Sequence, residues 1–235
     1  MKKEEEEERY DRELVCHGLC VVRGVSSKEV CERLREEALT GVQRKEAMSM
    51  TMAERMRGST HRWFLPIVDS HDSSSVMTRT SFRMSMTPAL RTVVDFASGL
   101  VGDDFELSEA LFIISEKGAS AQSFHSDGDY SEGALRIITL FVALQDILDE
   151  SMGPTQFIPD THRPQCFFSG KWLPPLPKNG LNEKQIKWFP LQAGDAVLME
   201  STLWHRGGCN VSNKKRVLLS LTFKEKEDKD EKEEE

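Results

Sequence analysis

The chain has 235 residues, with 31 Lys+Arg against 39 Asp+Glu and a formal charge of −8. Two short tails hold most of that charge: residues 1–9 carry −2 and residues 224–235 carry −4, leaving −2 on the body. A nearly neutral body of this length supports a sizeable core and argues against nucleic acid as the default partner, because duplex affinity comes largely from Lys and Arg meeting phosphates.

The tails are low in complexity and poor in apolar residues, so both are expected to stay unfolded. That leaves residues 10–223 as one domain. No apolar run approaches the roughly 20 residues that span a bilayer. The chain opens on lysines and glutamates rather than an apolar signal segment, and its last residues carry no recognised address. The expectation is a cytoplasmic protein with no membrane span. Five cysteines (Cys16, Cys20, Cys31, Cys166, Cys209) form no CxxC pair, which fits free thiols in a reducing compartment.

In chain order, Leu14–Arg23 is a short β-rich run ending at Gly24. Ser26 and Ser27 then offer an N-cap, and Val30, Leu34 and Ala38 recur at helical spacing, predicting a helix over 27–43. Residues 44–86 hold seven of the ten methionines among many Ser, Thr and Arg, with no sustained period. They read as helix fragments and long loops of a kind that can serve as a lid. Thr87 as N-cap and Pro88 as first helical residue begin a second helix to about Leu100. Strand texture follows at Phe105–Ser115, Ala121–His125, Leu135–Leu144, Thr155–Ile158, Ala196–Glu200 and Arg216–Phe223. Residues 163–187, rich in Pro and Lys, read as a crossing loop. Two helices followed by several short strands predict a mainly β fold, a sandwich or jelly roll backed by helices.

Two of the six histidines stand in informative settings. His125 lies in QSFHSDGDY, and in an extended segment Asp127 points to the same side as His125. His205 lies in MESTLWHRGG, after Ala193-Gly194-Asp195. Two histidines and one carboxylate suit a non-haem Fe(II) site with open positions. Arg216 follows His205 by eleven residues and opens the apolar run RVLLSLTF, across the turn Gly207–Lys215. A hairpin of that length would return it towards His205. A cation there is costly unless paired, either in a structural ion pair or with a dicarboxylate held in bidentate fashion.

With these residues together, the chain resembles the phytanoyl-CoA dioxygenase family of Fe(II)/2-oxoglutarate-dependent oxygenases. CHGLCVVRGVSSKEVCERLREEA resembles the family's opening strand and helix. FHSD matches its metal-binding His-x-Asp. GPTQFIPDTH resembles its Ile-Pro-Gly-Ser/Thr-His segment, with Asp160 where the family usually has Gly. LQAGDAVLMESTLWHRGGCN resembles the strand with the distal histidine, and RVLLSLTF supplies the 2-oxoglutarate arginine. The resemblance implies a double-stranded β-helix (jelly roll, cupin-like) backed by N-terminal helices. It implies Fe(II) on His125, Asp127 and His205, 2-oxoglutarate on Arg216, and O₂ as the further co-substrate. The implied activity is hydroxylation or another oxidation of a small molecule, with release of succinate and CO₂. The carboxylate at Asp127 favours hydroxylation, desaturation or ring formation over halogenation, for which related enzymes leave that position to Gly or Ala.

Further candidates carry alternatives. Thr139 and Phe141 share one strand face and would hydrogen-bond and wall the co-substrate, or pack in the core. Gln122 would touch co-substrate or substrate, or face solvent. Asp129 and Tyr130 would contact substrate or cap a loop. Arg83, with His61 and Arg62, would meet an anionic group or be solvated. Trp204 suits packing, and His162 suits a hydrogen-bonded turn at Asp160, where Asp tolerates left-handed backbone. A non-catalytic cupin-like binding protein is the competing class, and Arg216 speaks against it.

Overall fold

The computed structural model describes residues 2–47, 61–68, 86–128, 134–163, 166–168, 171–173 and 183–227. Its elements in chain order are α1 (Lys2–His17), β1 (Leu19–Val22), α2 (Lys28–Ala47), β2 (Arg62–Val68), α3 (Pro88–Val101), β3 (Phe105–Ser115) and β4 (Ile137–Ala143). They continue as β5 (Thr155–Phe157), β6 (Cys166–Phe168), β7 (Lys171–Leu173), a 3₁₀ turn at Glu183–Gln185, β8 (Ala196–Glu200), β9 (His205–Gly207) and β10 (Arg216–Glu225).

α3 begins as its capping residues require. Thr87 is extended, its hydroxyl accepts from the Leu90 N–H at 3.3 Å, and Pro88 opens the first turn. Ala89, Leu90, Val93, Val94 and Ala97 form its buried face. Each fully buried Val or Leu of this kind contributes about 1.5–3 kcal/mol.

The main sheet is antiparallel, with strand order β1-β8-β4-β10-β3-β2. One face packs on α1, α2 and α3, through residues such as Leu14, Leu34, Leu90, Leu140, Leu219 and Leu221. The other face holds a second core of Phe141, Ala143, Val197, Met199 and Leu218 with Phe157 and Leu191. Strand alternation produces this split: Val217, Leu219 and Leu221 point to the helices while Leu218 points inward. Arg216 therefore shares Leu218's inward face.

A second, smaller layer closes over that inner core. β5 pairs with β9, and single bridges add His125 beside His205 and Lys187 beside Phe157. The two layers form the double-stranded β-helix. Among the described residues, no helix is long and apolar enough to cross a membrane.

Several expectations change. Residues 2–9 are not unfolded: α1 runs from Lys2 to His17. Glu, Lys and Arg are good helix formers, and Tyr10 and Leu14, four residues apart, anchor the helix in the core. The β-rich run expected at Leu14–Arg23 starts as a strand only at Leu19. At the other end, β10 continues to Glu225, with Lys224 and Glu225 paired to β3. Ala121–His125 is no strand and makes one bridge at His125. Inside the segment read as loops lies β2, whose Pro66 is tolerated because β2 is the sheet's edge. The Pro- and Lys-rich crossing segment holds the β6–β7 pair. Finally, His205 to Arg216 is not a hairpin. β9 belongs to the small layer and β10 to the large one, so the connection crosses between layers. Asn210, fully buried, closes it by donating to the carbonyls of Ser115 (2.8 Å) and Lys214 (2.9 Å).

Candidate metal and co-substrate site

The geometry begins with two short backbone clamps. His125 and His205 exchange both backbone hydrogen bonds, at 3.0 and 2.9 Å. The N–H groups of Asp127 and Gly128 both donate to the Ser201 carbonyl at 2.8 Å. This fixes Asp127 beside the end of β8. Gly128 suits that close approach, since a Cβ there would lie 3.1 Å from the Ser201 backbone.

The side chains converge as a result. His125 Nδ1 lies 2.9 Å from the Ser123 carbonyl, and His205 Nδ1 lies 3.0 Å from the Leu203 carbonyl. A carbonyl only accepts, so each Nδ1 carries a hydrogen, and Nε2 is the ring atom that each histidine can offer to a metal. Both Nε2 atoms meet one carboxylate: His125 at 3.5 Å from Asp127 Oδ1, and His205 at 3.4 Å from Oδ2. The possible ligand atoms of His125, Asp127 and His205 all lie within 4.8 Å of one another. His205 is buried, whereas the His125 and Asp127 side chains are 39% and 47% exposed, so one side faces solvent. Two neutral imidazoles and one carboxylate on a single face are a donor set that fits Fe(II), and the backbone carbonyls supply the outer contacts that orient metal-binding histidines.

Arg216 is 1% exposed. Its Nη2 donates to Ser115 Oγ at 2.9 Å and its Nη1 to Thr155 Oγ1 at 3.4 Å, while its buried Nε has no partner among the described residues. Burial first, and then the charge of Arg62, push its pKa down to about 9. Thr155 lines a cavity shared with Phe141, Phe157, Val197 and Leu218. Phe141 and Phe157 also pack on His205, with ring centroids at 6.0 and 6.4 Å. A narrow apolar space thus lies between the histidine end and the arginine end.

The remaining candidates separate. Phe141 stands in the cavity wall. Thr139 is buried and bonded to Ser201 Oγ (3.1 Å) and Thr222 Oγ1 (3.4 Å), so it braces the residue whose carbonyl holds Asp127. Gln122 Oε1 accepts from the Gly207 N–H at 2.9 Å, tying the approach to His125 onto β9. His61 is exposed at the head of β2, and Trp204 is half-buried. Asp129, Tyr130 and Arg83 lie outside the described residues.

Asp160 keeps the left-handed turn with φ 67°. His162 Nε2 donates to the Val15 carbonyl at 3.1 Å, and its ring fits only because residue 18 is glycine, where a Cβ would come within 2.6 Å. His162 therefore fastens α1 to the barrel.

The residue that the sequence reading undervalued is Arg62. It is 2% exposed, not a solvated surface charge. Its signal was present, because Arg62 opens the apolar run RWFLPIV just as Arg216 opens RVLLSLTF. Ser115 and Thr155, the hydroxyls that receive the buried guanidinium groups, had no signal at all.

Comparison with known proteins fits this geometry. The structure is similar to that of the epimerase SnoN, solved with Fe³⁺, alpha-ketoglutarate and nogalamycin RO (18% identity, TM-score 0.63, covering 94% of this chain and 84% of that one). It is similar to the alpha-ketoglutarate-dependent carbocyclase SnoK of nogalamycin biosynthesis (16%, TM-score 0.62, 92% and 83%). It is also similar to HygX from Streptomyces hygroscopicus, solved with nickel and 2-oxoglutarate (14%, TM-score 0.60, 92% and 86%). The phytanoyl-CoA dioxygenase family model matches residues 14–218. The chain belongs to the phytanoyl-CoA dioxygenase family, and its function is of the non-haem Fe(II)/2-oxoglutarate-dependent oxygenase type, with O₂ as co-substrate.

Proposed function

We propose that His125 Nε2, Asp127 and His205 Nε2 hold Fe(II), that Arg216 holds the distal carboxylate of 2-oxoglutarate, and that the product is an oxidised small molecule with succinate and CO₂. One observation carries the reading: both imidazoles are fixed through Nδ1, and both Nε2 atoms converge on the same carboxylate. When bound, the iron supplies the redox chemistry that couples oxidative decarboxylation of the 2-oxo acid to oxidation of substrate.

The chain's own residues do the rest. Ser201 holds the Asp127 backbone, and Thr139 braces Ser201. Gln122 keeps the His125 approach on β9. Phe141 and Phe157 exclude water beside His205. Arg216 stays protonated at neutral pH, since its pKa of about 9 lies above it. Asp127 keeps a carboxylate in the ligand set, which supports hydroxylation, desaturation or ring formation over halogenation. Asp129, Tyr130 and Arg83 are proposed to face the substrate, on their sequence positions.

The oxygenase unit is proposed as one domain over residues 10–223, with α1 fastened to it. The near-neutral body supports a small-molecule substrate over nucleic acid. A reducing, cytoplasmic setting is supported by the free thiols of Cys16, Cys20, Cys31 and Cys209. Single variants test the assignment. His125→Ala is expected to lose Fe(II) binding by calorimetry, whereas Arg216→Ala keeps iron and binds 2-oxoglutarate weakly. Normal 2-oxoglutarate affinity in Arg216→Ala would overturn the arginine's role.

A further inference from the structure

We propose that Arg206 is a positioning residue for the metal-facing His125, which it holds against β9 from the outer face of the small layer. The inference rests on the proposed function and concerns how one ligand of that site is aimed.

His125 stands on an arm, residues 122–128, that is not a strand and meets β9 through a single bridge. At that bridge His125 and His205 exchange both backbone hydrogen bonds. In an antiparallel pairing the next residues along, Phe124 and Arg206, then face each other without a backbone bond, and their side chains come closest. One position further the ladder breaks. Regular pairing would turn the Ser123 carbonyl to the Gly207 N–H, but that carbonyl faces His125 Nδ1 instead, at 2.9 Å. Gln122 fills the gap. Its Oε1 accepts from the Gly207 N–H at 2.9 Å, and its own N–H donates to the Gly207 carbonyl at 3.0 Å. Glycine permits this approach, since a Cβ on Gly207 would lie 2.7 Å from Gln122 Oε1. The carbonyl that orients His125 therefore belongs to the stretch that the ladder leaves unpaired.

Arg206 covers that stretch. Strand alternation turns buried His205 inward and half-buried Arg206 outward. Arg206 Cζ lies 4.3 Å from the centroid of the Phe124 ring. Its Nε donates to Gln156 Oε1 at 2.7 Å, and Gln156 is its register partner on β5. Gln156 Nε2 in turn donates to Glu150 Oε1 at 3.4 Å. A planar guanidinium stacks through its face while donating through its edge, so one side chain joins the arm, β9 and β5. The join lies directly behind the His125 and His205 rings, whose centroids are 4.5 Å apart on the inner face. None of residues 122–128 is buried, so packing alone does not fix the arm.

The test measures Fe(II) affinity of the folded protein by anaerobic calorimetry. The variants are Arg206→Met, Arg206→Lys, Phe124→Leu and the double variant Phe124→Leu/Arg206→Met. Arg23→Met is the control, because it breaks a surface ion pair with Asp195 at the β1 edge of the main sheet. Arg206→Met is expected to weaken Fe(II) about 10-fold, the low end of the range for losing support behind a metal ligand. Phe124→Leu should act similarly, and the double variant should be no weaker than the worse single, since both remove one contact. Arg206→Lys keeps a cation over the ring and should recover part of the loss. Arg23→Met should leave Fe(II) affinity within about twofold, whatever its melting temperature. Unchanged Fe(II) affinity in Arg206→Met, or equal weakening in Arg23→Met, would overturn the positioning role.

Amide hydrogen exchange without metal separates this from the parent reading. The His125 and His205 amides, which donate across the bridge, should exchange about 10-fold faster in Arg206→Met than in wild type. If they do, but wild type takes up no iron, the hold on the arm stands and the metal assignment falls. If their exchange is unchanged, the positioning role is wrong.

Discussion

Arg216→Met should make the protein more stable while disabling its co-substrate site. The guanidinium is 1% exposed, has no carboxylate partner among the described residues, and faces Arg62. Lowering this arginine's pKa to about 9 from the ordinary arginine range corresponds to about 5 kcal/mol of unfavourable free energy, at about 1.36 kcal/mol per pH unit. Methionine removes that charge and fills much of the volume. It also loses the bonds to Ser115 and Thr155, about 1 kcal/mol each. The net gain is on the order of 3 kcal/mol, within the range seen when buried charges give way to apolar side chains. At about 2–4 °C per kcal/mol for a chain of this size, the melting temperature should rise by about 6–12 °C.

The pH dependence has a definite sign. The folded chain binds the Arg216 proton more weakly than the unfolded chain does. The unfavourable free energy is therefore fully present below about pH 9 and fades as pH rises from there towards the ordinary arginine range. The advantage of Arg216→Met should accordingly be constant near neutrality and shrink above pH 9. Differential scanning calorimetry without added dicarboxylate is the assay. A lower melting temperature for Arg216→Met would show that the guanidinium is already satisfied in the folded protein, and the argument for an anion at this site would fail.

Other outcomes follow from the same contacts. Gly153→Ala should destabilise by about 2–4 kcal/mol in urea titration, because φ is +67° and the new Cβ would lie 2.7 Å from the Gly208 carbonyl oxygen; a shift under 0.5 kcal/mol would mean the 153–154 and 208–210 segments separate easily. Burial lowers the pKa of His162, so the unfolded chain takes up its proton more readily and stability is lost as pH falls below about 6.5. His162→Gln should flatten the stability profile between pH 7 and 5, and an unchanged profile would exclude His162 from the acid response. In a Cys166→Ser background, a thiol reagent at pH 8 should modify exposed Cys16 and Cys209 quickly. Buried Cys20, pushed up to about 12 mainly by desolvation, and buried Cys31 should react only on unfolding.

The legible parts of the sequence were those whose local chemistry and tertiary role agree. Thr87 and Pro88 announce α3 because a cap and a fixed φ act within one turn. β3 and β8 match their expected limits, since each is a β-rich run bounded by turn residues. His125 and Asp127 were readable because an i, i+2 pair shares a side in any extended segment, and both do meet His205. The illegible parts depend on partners distant in sequence. Arg62 looks like a surface charge until β2 takes the edge position beside Ser115. α1 looks like a solvated tail until Tyr10 and Leu14 find the core and His162 takes the Val15 carbonyl. The His205–Arg216 connection has the length of a hairpin, and only the pairing of β9 with β5 and of β10 with β3 and β4 shows it crossing between layers.

The most direct test of the central claim is an anaerobic titration of the wild-type protein with Fe(II) and 2-oxoglutarate, followed by visible spectroscopy. The expected result is a weak charge-transfer band that needs both additions, saturates at one equivalent of each, and is missing in folded His205→Ala. Folded, iron-loaded wild type that gives no band at saturating 2-oxoglutarate would contradict the assignment of His125, Asp127, His205 and Arg216 to one catalytic centre.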